Sequence, residues 1–184
     1  MTKIPEWAKR ARSGWQYDGR SRPPFAIEPG PGHESVWDYP RPPRLAAEPR
    51  DVIVRAGPVV LGRSTSCLRV LETASPPTIY MPPADIDQTL LEAAAGSSAC
   101  EWKGEARYWT VIADGQRLTR VAWSYPHPFA EFEALADFVA FYPGRLECLV
   151  DGVRVRPQPG GFYGGWITPE IVGPFKGEAG TEGW

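Results

Sequence analysis

Glu105-Ala-Arg-Tyr-Trp-Thr-Val-Ile-Ala113, then Asp114-Gly115, then Gln116-Arg-Leu-Thr-Arg-Val-Ala-Trp-Ser124 is the stretch whose reading decides the fold class. Two alternating runs flank an Asp-Gly pair, the strongest short-range signal for a β-hairpin. Counting outward from the turn pairs Ala113 with Gln116 and Trp109 with Arg120. Trp123 then falls opposite Ala106, so its ring meets Tyr108 or Trp109 only diagonally or through a bulge. The two-residue period puts Glu105, Arg107 and Trp109 on one face and Ala106 and Tyr108 on the other.

The same grammar extends in both directions. A second Asp-Gly pair, Asp151-Gly152, joins Arg145–Val150 to Val153–Arg156. Asp51–Arg55 and Val59–Leu61 flank a Gly57-Pro58 break and read as a hairpin. Cys67–Leu71 predicts a strand, as do Thr78–Met81 and the Val139–Tyr142 run before Pro143-Gly144. Pro82-Pro83 launch the best helix candidate, Ala84 to Ala95, with Ile86, Leu90 and Ala93 on one stripe and Gly96 past its end. Phe129 to Asp137 is a short helix at most.

Residues 1–49 read as an arm. Ile4, Trp7, Ala8 and Ala11 follow helical spacing, predicting one short helix that ends near Ser13-Gly14. From Pro23 to Pro49 repeated prolines impose extended backbone, and Trp15, Tyr17, Phe25, Trp37 and Tyr39 recur through and just before it. A free tail gains nothing from so many rings, so the arm is expected to wrap the core. The expected division is 1–49 arm, 50–157 β-rich core, and a Gly/Trp-rich tail, 158–184, packing on the core. The fold class is α+β and β-dominated: a compact antiparallel barrel or tent-like single domain, with one or two short helices and extended Pro-rich arms.

Composition narrows the function. The 184 residues include 21 prolines and 19 glycines, well above a background of about 12% for the pair, which disfavours long helices. No apolar run is long enough for a membrane span, and the first residues lack a signal-peptide core, so a cytoplasmic location and no membrane partner are expected. Net charge is −2, so a nucleic-acid partner is not expected, although Lys3, Lys9, Arg10, Arg12, Arg20 and Arg22 make the arm locally basic. Three cysteines at wide spacing (Cys67, Cys100, Cys148) fit free thiols in a reducing compartment. No Cys or His pair has zinc spacing, so neither a metal site nor a cofactor is expected. The chain is expected to be a monomer or homodimer.

Several polar residues sit where apolar ones are the rule. Lys103, before Gly104, with Tyr108 and Trp109 could form a pocket wall, a cation with rings for stacking; the competing reading is a turn lysine beside core aromatics. Tyr125, at a strand end before Pro126, offers a hydroxyl. Arg69 and Glu72 interrupt the apolar run Cys67-Leu-Arg-Val-Leu-Glu72, either as an inward ion pair or as a solvent-facing arginine. Asp85 and Asp87 form an Asp-x-Asp, but at a helix start they would point to different sides and favour the helix dipole over a metal. Nothing brings Cys100 and His127 together as nucleophile and base. Trp102-Lys103-Gly104-Glu105-Ala106 is echoed by Phe175-Lys176-Gly177-Glu178-Ala179, without a longer period that would make a repeat.

Three phrases carry a family resemblance. They are Leu68-Arg-Val-Leu-Glu-Thr73 with Pro76-Pro77 and Tyr80-Met-Pro-Pro83, then Cys100-Glu-Trp-Lys-Gly-Glu-Ala-Arg-Tyr-Trp109. The third is Ala122-Trp-Ser-Tyr-Pro126 with Val139-Ala-Phe-Tyr-Pro143 and Val150-Asp-Gly152. Together, over about residues 50–155, they resemble the bacterial domain-of-unknown-function 427 family. The lead-in Ser35–Pro43 and the tail Trp166–Trp184 resemble its longer actinobacterial members. Glu101 stands where the family often has proline. The resemblance implies a small sheet-built barrel or tent with a polar and aromatic cleft. The family carries a nucleotidyltransferase-like label.

The leading expectation is a domain that binds a small polar or anionic molecule in a cleft lined by Arg69, Glu72, Tyr80, Lys103, Tyr108, Trp109 and Tyr125. The alternatives are an enzyme, nucleotidyltransferase-like and acting on nucleotides, or a protein-interaction module that uses the aromatic arms.

Overall fold

In the computed structural model, residues 4–184 are described; Lys3 of the basic arm lies outside them. Helix α1 (Glu6–Arg12) precedes β1 (Glu34–Ser35) and β2 (Arg44–Glu48). The Gly57-Pro58 turn joins β3 (Val52–Ala56) to β4 (Val59–Ser64), and β5 (Cys67–Glu72) returns as β6 (Ser75–Met81). A meander follows: β7 (Leu91–Cys100), β8 (Gly104–Ala113) and β9 (Gln116–Ser124). After a 3-10 segment at Ala130–Leu135 come β10 (Val139–Phe141), β11 (Glu147–Val150) and β12 (Val153–Arg154). Three two-residue strands complete the set: β13 (Arg156–Pro157), β14 (Trp166–Ile167) and β15 (Ile171–Val172). No described helix is long and apolar enough to cross a membrane.

The strands form one large antiparallel sheet, in the order β2-β5-β6-β10-β9-β8-β7, and a smaller one, β12-β11-β3-β4. The fold is β-dominated, as expected, but the large sheet is open, with β2 and β7 at its edges. It is no closed barrel. Alternation gives the sheet two different faces. On one, Val111, Val121 and Phe141 pack with Val52, Val54, Leu61, Cys148 and Val150 of the small sheet. On the other, Tyr80, Tyr108, Trp123 and Tyr125 gather with Trp102, Phe132 and Leu135. The arm does wrap: Trp37 is fully buried, edge-on to Tyr17, Phe25 and Trp184, in a cluster that joins the arm to the tail through Ile171.

Two expectations are corrected. Ala84–Ala95 is not a helix. Short 3-10 turns occupy Pro83–Asp85 and Gln88–Leu90, and the remainder enters the ten-residue strand β7. Helix propensity is a weak prior, and an antiparallel ladder along β8, interrupted by one bulge, overrides it. In the β8–β9 hairpin Ala113 does face Gln116, but the register shifts between Trp109 and Val111. Arg120 takes a positive φ of 53° in the bulge. Trp109 therefore faces Ala122, and Tyr108 comes directly opposite Trp123.

Candidate functional site

The aromatic face of the large sheet carries a cavity of about 230 Å³. Tyr80, Tyr108 and Trp123 rise from adjacent parts of the sheet, and Cys100 to Lys103 form the β7–β8 turn at one wall. Trp15 from the arm and Gln158, Tyr163 and Lys176 from the tail complete the enclosure. The tight β7–β8 turn depends on Gly104, whose φ of 98° is disfavoured for residues with a side chain. The Lys103 carbonyl is held by the Phe129 amide at 3.2 Å. Its ammonium lies 5.8 Å from the ring centres of Tyr125 and Phe132.

Lys103 is only 7% exposed, and among the described residues no carboxylate forms an ion pair with it. Burial opposes its charge, whereas the Glu72 carboxylate favours the ammonium. Burial pushes the Tyr80 and Tyr125 phenols upward, which keeps both hydroxyls protonated at neutral pH. Trp123 donates to the Tyr80 hydroxyl at 3.3 Å, and Tyr108 and Ser98 share a hydrogen bond at 2.7 Å. Trp102, also in the wall, keeps a buried Nε1 with no hydrogen-bond partner among the described residues.

Of the seven residues singled out from the sequence, Glu72, Tyr80, Lys103, Tyr108 and Tyr125 meet around this cavity; Arg69 and Trp109 do not. Arg69 and Glu72 are three apart on a strand, hence on opposite faces, and do not pair. Arg69 binds Glu34 at 3.0 Å. Glu72 accepts from Arg41, whose side chain is 2% exposed. Trp109 faces away from Tyr108, packs with the other core, and donates to Ser124 at 3.0 Å. Asp85 and Asp87 are engaged locally, by the Ser64 hydroxyl at 2.5 Å and the Thr89 amide at 3.0 Å. Cys100 lines the cavity, whereas His127 lines a separate groove beside Phe129.

Sequence reasoning missed Trp15, Tyr142, Gln158, Tyr163 and Lys176. Their distance along the chain hides them, yet Lys176 left a trace in the echoed phrase. Lys103 and Lys176 each follow an aromatic residue and precede a glycine of positive φ, 98° at Gly104 and 121° at Gly177. The Gly177 backbone crosses Pro159 so closely that a Cβ would lie 2.1 Å from the Pro159 oxygen. Lys176 sits 3.6 Å over the Trp15 ring and donates to the main-chain oxygen of Trp184 at 2.9 Å. Burial, and then the nearby Arg41, lower its pKa to about 8.

The sheet positions that bring Glu72, Tyr80, Lys103, Tyr108 and Tyr125 together all lie between β2 and the β11–β12 turn. Trp15, Gln158, Tyr163 and Lys176 come from outside it. No curated protein matches the chain. A family model described as domain of unknown function 427 (DUF427) does match, over residues 44–152. That segment is more than half of the chain and holds the Gly57-Pro58 and Asp114-Gly115 hairpins and the three phrases read at the outset, so this chain belongs to the DUF427 family.

Proposed function

We propose that this chain binds a small polar molecule bearing an anionic group, with Lys103 as its counter-charge inside the aromatic cavity. The observation that carries the reading is the buried Lys103 ammonium, which has no carboxylate of its own. A buried charge is costly unless paired and hydrogen-bonded, and a ligand anion would supply the missing partner. The carboxylates nearby are already engaged: Glu72 with Arg41, and Glu101 with the Trp15 indole at 3.1 Å. Tyr80, Tyr108 and Tyr125 offer hydroxyls around the same space. At about 230 Å³ the cavity falls below the roughly 300–1,000 Å³ of drug-sized pockets, which favours a small ligand.

Thermal shift with nucleotides, sugar phosphates and aromatic carboxylates tests this. A bound compound at about one hundred times its Kd should stabilise the wild type by roughly 2.7 kcal/mol. Lys103→Met, which keeps a chain of similar length in the wall, should still melt cooperatively without ligand and should lose the shift. A variant that retains the shift, or a wild type indifferent to every anion, overturns the reading.

A further inference from the structure

We infer that Lys176 is a second anion anchor of this cavity, so that the ligand carries two anionic groups. The inference rests on the anion-binding reading above and adds the ligand's charge class. The cavity wall holds two lysines, drawn from the two halves of the echoed phrase, and neither forms an ion pair with a side-chain carboxylate among the described residues. Lys176 is only 3% exposed. One of its three N–H donors is engaged by the Trp184 main-chain oxygen. Trp15 covers its ammonium, and the Tyr163 ring lies 5.6 Å away.

The charged groups that act on Lys176 are Arg41, Glu72, Glu101 and Glu182. Arg41 repels it, and the acid closest in the fold to Arg41, Glu72, is already bound to that guanidinium. A second ligand anion would relieve that repulsion and the desolvation together. The tail thus tunes specificity from outside the family segment. A doubly charged ligand would bridge Lys103 on the core and Lys176 on the tail.

Calorimetric titration of the full chain with benzoate, phthalate, isophthalate and terephthalate near neutral pH tests this. One charge-assisted contact more should make at least one dicarboxylate bind about tenfold tighter than benzoate. A second anion also raises the Lys176 pKa, so dicarboxylate binding near pH 8 should take up protons, read from the buffer dependence of the heat, while benzoate binding should not. Lys176→Gln should erase the dicarboxylate preference. Benzoate binding without any dicarboxylate preference, or a preference that survives Lys176→Gln, overturns the inference and leaves the anion-binding reading standing. If the variant does not fold, the absence of proton uptake by the wild type overturns it instead. Failure of all four compounds to bind counts against the anion-binding reading and takes the inference with it.

Discussion

At Gly164 a Cβ would lie 2.0 Å from the edge of the Trp123 indole, which fixes how closely the tail lies over the cavity. Gly164→Ala should therefore push that ring into the cavity or lift the tail. Overpacking of this kind costs about 1–3 kcal/mol, which chemical denaturation would measure, and the change around Trp123 should also appear in tryptophan fluorescence. This contact was invisible in the sequence, because a glycine's role depends on what approaches it from elsewhere in the chain. Lys103 was more legible. A lysine between a tryptophan and a turn glycine reads either as a pocket-wall cation or as a turn lysine beside core rings, and its burial is a finding of the structure. Arg69 and Glu72 were half legible: each is ion-paired, but to Glu34 and Arg41, partners that sequence spacing does not reveal.

The strands announced themselves where turn chemistry was strong. Asp114-Gly115, Asp151-Gly152 and Gly57-Pro58 each join neighbouring strands as read. Reading failed at β7, whose Ala-rich start suits a helix by local preference. There the partner strand decides, because a ladder pairing seven residues of β7 with β8 outweighs small differences in propensity. Its bulge includes Gly96 at a φ of 84°, close to the Arg120 guanidinium. Gly96→Ala forces a side chain into the left-handed region and should cost about 1–2 kcal/mol in urea denaturation. A neutral effect would mean that the bulge relaxes. The Arg120 bulge in β9 matters more to the site: it is the two-residue slip that sets Tyr108 against Trp123.

Across the whole molecule, arm, sheet and tail are tied by Arg50, which binds the buried Glu48 at 2.6 Å and reaches Glu170 in the tail. Burial disfavours the Glu48 carboxylate, but Arg50 outweighs this and holds its pKa below the usual value. That stabilisation is complete above the unfolded glutamate pKa of about 4.3 and is lost as pH falls through the lower folded value. Arg50→Gln strands a buried carboxylate and should cost about 3 kcal/mol near neutral pH. The deficit should shrink as pH falls, because protonating Glu48 removes the stranded charge; a deficit independent of pH would refute this linkage. By itself, the chain's alternation and turn residues determined the antiparallel hairpins and the β-dominated class, since these depend on neighbours in sequence, and three phrases carried the family resemblance. Only the tertiary structure decided that the sheet stays open, that Arg69 and Trp109 leave the cleft, and that Lys176 enters it. Ion-pair partners and cavity walls are set by contacts between distant segments, and no local pattern encodes which distant segment arrives.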